Sequence, residues 1–141
     1  MPANTIPIFT LTPNIAFANL LAASANTALD GTGTVSTVYT AGSFGGVVNS
    51  IAVKSGTTTA TSAAGTLRIW VNNGATAGTA TNNTLIREYV LTANTASSTT
   101  ATLNYEFPLN IQLPAGYKII CTVATMAAST SWQFTCFGAD Y

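Results

Sequence analysis

Charge is what this sequence has least of. Only 6% of its residues are charged, four Lys or Arg against four Asp or Glu, so the formal net charge is zero. There is no histidine. Four dispersed cations cannot neutralise a run of phosphates, which excludes nucleic-acid binding through a basic patch. Without histidine the usual proton carrier is missing, and most acid–base chemistry goes with it. The two cysteines, Cys121 and Cys136, are too few for a disulfide scaffold. They also lack the spacing and the histidine partners of a zinc site. No apolar run approaches the roughly 18 residues of a membrane-spanning helix, so no membrane partner is expected. The run Ile15-Ala16-Phe17-Ala18-Asn19-Leu20-Leu21-Ala22-Ala23 is too short. No Lys or Arg precedes it, and Pro2, Pro7 and Pro13 punctuate the approach, so it is not expected to act as a secretion signal.

What remains is hydrophobic or small and polar. The hydrophobic fraction is 48%, and much of the rest is Thr, Ser, Asn and Gly. That excludes disorder of the low-hydrophobicity, high-charge kind. A chain of 141 residues makes one domain. A nearly uncharged protein has little electrostatic protection against self-association. It is expected to live assembled with other chains, as a homo-oligomer among other contacts.

Residues 1–13 read as an extended arm and residues 14–141 as the folded domain. Pro2, Pro7 and Pro13 remove backbone donors and oppose helix. Ile6, Ile8, Phe9 and Leu11 make the arm adhesive and are its expected partner-binding residues. Fully extended, the arm spans roughly 40 Å.

From about residue 15 the pattern is β: alternation of apolar and polar residues between turn signals. Residues 35–40 fit, bounded by Gly31-Thr32-Gly33 and Gly42-Ser43-Phe44-Gly45-Gly46. Residues 47–54 fit, as do Leu67, Ile69 and Val71 alternating with Arg68, Trp70 and Asn72 before the Asn73-Gly74 stop. Residues 85–91 carry apolar groups on both faces. Leu103, Tyr105, Phe107, Leu109, Ile111 and Leu113 hold a period of two that is hard to reconcile with helix. Pro108 interrupts the opposite face, which predicts a bend, a bulge or an edge position there. Pro114-Ala115-Gly116 turns the chain into Tyr117, Ile119, Cys121 and Val123, and Trp132, Phe134 and Cys136 follow. With the Ala-rich segment near 15–23 this makes about eight strands. The expected architecture is an all-β, antiparallel sandwich, with a jelly roll as first choice of topology.

Chemistry-bearing residues are sparse. Glu88 and Glu106 could lie on neighbouring strands as a glycosidase pair, or each could be a solvated carboxylate on the polar face of its strand. Ser and Thr are plentiful but have no activating base. If the last two strands form a hairpin pairing Val123 with Phe134, Cys121 faces Cys136; a cross-strand disulfide and two buried thiols are both open, and a reducing cytoplasm favours the thiols. No metal, cofactor or catalytic residue is expected. Trp70 shares a face with Arg68 and Asn72, opposite Leu67, Ile69 and Val71. It reads either as an exposed aromatic for a partner or a sugar, or as part of a sheet buried on both faces.

At Leu67-Arg68-Ile69-Trp70-Val71-Asn72-Asn73-Gly74, Thr81-Asn82-Asn83-Thr84-Leu85 and Leu109-Asn110-Ile111-Gln112-Leu113-Pro114-Ala115-Gly116-Tyr117-Lys118 a resemblance emerges. Leu29-Asp30-Gly31-Thr32-Gly33, with Val35, Val38 and Tyr39, and the closing Gly138-Ala139-Asp140-Tyr141 extend it over residues 25–141. The chain resembles small structural proteins of tailed bacteriophage virions, similar to capsid decoration (cement) proteins. The resemblance implies a β-sandwich on the capsid surface, made in the host cytoplasm, that binds the major capsid protein and itself, with trimers common among such proteins. It carries no catalytic residue over. The alternative of a different class is a receptor-binding or head-fibre module that reads host-surface glycans.

Overall fold

Period-two alternation becomes strand almost everywhere it occurs. In a computed structural model, residues 9, 10, 12–56, 61–97, 99 and 101–141 are described. In chain order the strands are β1 (Thr12–Leu21), β2 (Ser36–Thr40), β3 (Gly46–Ser55), β4 (Thr61–Ser62) and β5 (Gly65–Asn72). They continue as β6 (Asn83–Leu91), β7 (Asn94–Thr95), β8 (Asn104–Leu113), β9 (Lys118–Val123) and β10 (Ser131–Asp140).

The long strands make two four-stranded sheets, ordered β1-β10-β3-β8 and β2-β9-β5-β6, while β4 and β7 form a small separate ribbon. Pairing runs from the outside of the chain inward: β1 with β10, β2 with β9, β3 with β8 and β5 with β6, all antiparallel. One long hairpin has been rolled so that successive pairs alternate between sheets. This is the expected all-β sandwich, and its winding is that of a jelly roll.

The core lies between the sheets. Ile51, Val53, Phe134 and Cys136 enter it from the first sheet, and Leu67, Ile69, Ile119 and Val123 from the second. At the open side Tyr89 of β6 stacks on Phe107 of β8 with ring centroids 3.9 Å apart. That contact closes one gap between the sheets by aromatic packing rather than by hydrogen bonding.

Pro108 acts as its position predicts. Its strand, β8, is an edge strand. Val48 faces Ile111 while Ser50 faces Pro108, so Leu109 and Asn110 share the single opposing residue Asn49. Asn110 takes up this bulge with a φ of 51°.

Two expectations change. The final hairpin does not form: Val123 pairs with Leu67, while Phe134 pairs with Val53 and Ala18. The connection from β9 to β10 crosses from one sheet to the other, as rolling the long hairpin requires. Cys121 and Cys136 therefore come from opposite sheets, and both are buried and free. The β1–β10 ladder also starts before residue 14, because Thr12 and Pro13 already pair with Asp140 and Ala139. Of the arm residues named above, Ile6, Ile8 and Leu11 lie outside the described residues.

Candidate interaction surface

Strand β1 puts its large side chains on the wrong side for a core. Ala16, Ala18 and Leu20 face inward and pack against the core, whereas Ile15, Phe17 and Leu21 face out. Ile15 is 62% exposed and Phe17 82%. Small residues suit the inner positions because this edge strand comes close to β2 of the other sheet. Ile15 stands directly opposite Phe137 of β10, another exposed ring. Beside Phe17 a shallow depression of about 280 Å³ runs over Asn19, Gln133 and Thr135. Phe9, the one of the arm's expected partner-binding residues that is described, is 73% exposed. Ile15, Phe17 and Phe137 thus lie together on the outer face near one edge, with Leu21 beyond the polar Asn19. Contiguous exposed patches of this kind mark contact surfaces.

This group carries no charge. Lys54 and Glu106 lie on the far half of the same sheet, on β3 and β8, where the Ser50 hydroxyl donates to Glu106 at 2.9 Å. The nearest carboxylate is Asp140, at the end of β10. It accepts from the Tyr39 hydroxyl at 2.6 Å, Asn14 Nδ2 at 2.8 Å and the Gly42 N–H at 3.1 Å. Burial raises its pKa, but the bonds from Tyr39, Asn14 and Gly42 together outweigh that and leave it below the ordinary value. This cluster fastens β1, β2 and β10 to one another; it is a structural clasp.

A second concavity, of about 350 Å³, opens between β5, β6 and β8. Val71, Ile86, Leu109, Ile111, Pro114 and Tyr117 line it, with Arg87 also at its wall. Its lining is mostly apolar.

Trp70 requires a correction. It does lie with Arg68 and Asn72 on the face away from the core, as alternation requires, but that face is covered. Segment 25–35 lies over it. The Asn26 N–H donates to the Val123 carbonyl at 2.9 Å, and Asn26 Nδ2 donates to the carbonyls of Thr32 and Thr34, each at 2.8 Å. Asn83 Nδ2 holds the Gly31 carbonyl at 2.8 Å. A Cβ on Gly31 would come within 3.3 Å of Trp70 Cε3, so the backbone sits almost on the ring. Trp70 is 2% exposed, and its Nε1 donates to Thr122 Oγ1 at 3.3 Å. It is a buried anchor and presents no ring to a sugar.

The carboxylate pair does not form either. Glu88, on β6, meets Arg68 Nε at 2.8 Å on the outer face of one sheet. Glu106, on β8, faces out from the other sheet. Among the described residues no three His, Cys, Asp or Glu converge as a metal site. Burial raises the pKa of both thiols, Cys136 to about 12, so neither is a nucleophile at neutral pH.

The sequence reading named apolar residues of the arm and did not single out Ile15 and Phe17 on β1. A signal was there: Ala16 and Ala18 alternate with Ile15 and Phe17, and on a strand the two sets must face opposite ways.

No family model matches the chain, and no curated protein does. A chain in a structure of infectious bursal disease virus, Gx strain, aligns with a TM-score of 0.30 at 11% identity. The alignment covers 99% of this chain and 35% of that one, so this chain spans about a third of its length.

Proposed function

We propose that this protein is a non-enzymatic virion structural protein, a capsid decoration (cement) protein. It docks on the lattice of the major capsid protein and stabilises the phage head, on whose outer surface it resides after synthesis in the host cytoplasm. The observation that carries this reading is the uncharged apolar group of Ile15, Phe17 and Phe137 exposed on the outer face of a jelly roll. A reinforcing protein needs a stable core, an adhesive outer surface and low net charge where copies crowd together; it needs no cofactor. The resemblance over residues 25–141 points the same way. The glycan-reading alternative has lost its anchor with the burial of Trp70.

Co-sedimentation of the purified protein with undecorated tailed-phage capsids tests the reading. The expected result is saturable binding with a stoichiometry set by the shell lattice. The double variant Ile15→Ser, Phe17→Ser should lose that binding while its melting temperature stays that of the parent, because exposed side chains contribute little to stability. Absence of binding by the parent protein overturns the proposal. So does full-strength binding by the double variant.

A further inference from the structure

The four edges of the two four-stranded sheets are not alike. Edge β8 carries Pro108, the Asn110 bulge and Glu106. Edge β6 carries Arg87 and Glu88 and a register shift opposite Ile69 and Trp70. Edge β2 is five residues long and shifts register between Thr37 and Tyr39. These are the devices by which sheet proteins block edge-to-edge pairing. Edge β1 has none of them over most of its length. It runs ten residues in unbroken register with β10, carries no charge, and has its one proline, Pro13, next to its first residue.

The hydrogen-bonding direction along β1 follows from its partner. The Ala22 N–H donates to the Thr130 carbonyl at 3.0 Å, one step beyond Leu21 opposite Ser131. In an antiparallel ladder the bonded pairs alternate. Even-numbered residues of β1 therefore spend their backbone groups on β10. The N–H and C=O groups of Ile15, Phe17, Asn19 and Leu21 point away from the sheet, and none of the described residues bonds to them.

We propose that β1 pairs with β1 of a second copy of this chain, antiparallel about a two-fold axis near Phe17. Such an isologous contact is self-complementary: each copy offers the N–H groups of Ile15, Phe17, Asn19 and Leu21 to the carbonyls of Asn19, Phe17, Ile15 and Pro13 of the other. It joins two four-stranded sheets into one sheet of eight. The axis stands perpendicular to the sheet, so both outer faces lie on one side. The apolar groups of Ile15, Phe17 and Phe137 from the two copies then share one face. The absence of charge on β1 means that no like-charged side chains meet across the axis. This pairing is a property of the isolated chain and does not rest on the capsid reading.

The test uses the full chain in solution, without capsids. Light scattering over a dilution series gives the mass, and amide hydrogen exchange read by NMR reports individual N–H groups. The expected result is a dimer, or an even multiple of it. In the associated state the amides of Ile15, Phe17, Asn19 and Leu21 exchange about tenfold more slowly, or slower still, than at high dilution. Asn19→Lys, on an exposed residue, should return the protein to a folded monomer with those amides fast. A chain that stays monomeric at every concentration overturns the proposal, as does an odd-numbered oligomer. An oligomer in which those amides remain unprotected overturns it too, since stacking through the apolar face alone would leave them open.

Discussion

The Tyr39 hydroxyl donates to the Asp140 carboxylate at 2.6 Å, tying β2 in one sheet to β10 in the other. The same hydroxyl lies 3.2 Å from the Ala139 carbonyl. Tyr39→Phe keeps the ring and removes the tie. A hydrogen bond to a charged group contributes about 2 kcal/mol. The variant should therefore lose about that much stability, measured as a lower denaturation midpoint with an unchanged slope.

The same pair contributes to both limbs of the pH profile, alongside the lowered carboxyl of Asp30 on the acid side and the raised thiols of Cys121 and Cys136 on the alkaline side. The carboxyl of Asp140 is lowered in the fold, so its contribution is complete above the ordinary carboxylate range and is lost as pH falls through it. The Tyr39 phenol is raised, first by burial and then by Asp140, so its contribution is complete below about pH 10 and is lost as pH rises beyond. Thermal melts from pH 2 to 11 should fall at both ends. Asp140→Asn should flatten the acid limb.

Trp70 and Gly31 act as one unit. Trp70→Ala removes a fully buried ring and should cost about 3–5 kcal/mol. Gly31 has a φ of +76°, and its Cβ would stand 2.8 Å from Asn83 Cβ. Gly31→Ala should lift segment 25–35 from the ring and shift tryptophan fluorescence to the red. Unchanged emission would show that the segment does not seal Trp70.

The thiols should be silent in the native protein. Cys121 and Cys136 are buried with raised pKa values, so a thiol reagent at pH 8 should label neither until the chain unfolds. Labelling followed in rising denaturant should track the unfolding curve. Fast labelling of either cysteine in buffer would contradict its burial.

Deleting residues 1–11 leaves every β1–β10 pair in place. The truncated chain should still fold and melt cooperatively. Under the proposed function it should bind capsids more weakly than the full chain, because the arm is gone while Ile15, Phe17 and Phe137 remain.

Much of the fold was legible because strands announce themselves locally. The alternation from Leu103 to Leu113 marked β8, and Pro108 marked its bulge and edge position. Alternation also put Trp70 on the face opposite Leu67, Ile69 and Val71, but it left open which of the two faces met the core, and the same signal at Ile15 and Phe17 against Ala16 and Ala18 went unread. Each of these statements concerns neighbours a few residues apart.

Tertiary structure alone decided what each face meets. Trp70 is buried because segment 25–35, some forty residues earlier in the chain, is pinned over it by Asn26 and Asn83. Phe17 is exposed because Ala16 and Ala18 fill the tight inner positions of an edge strand. Cys121 and Cys136 sit in opposite sheets because β9 leaves one sheet and β10 enters the other. A strand's period of two fixes which residues share a side. Which side finds the core and which finds solvent depends on contacts between distant segments, and those are settled only when the long hairpin rolls up.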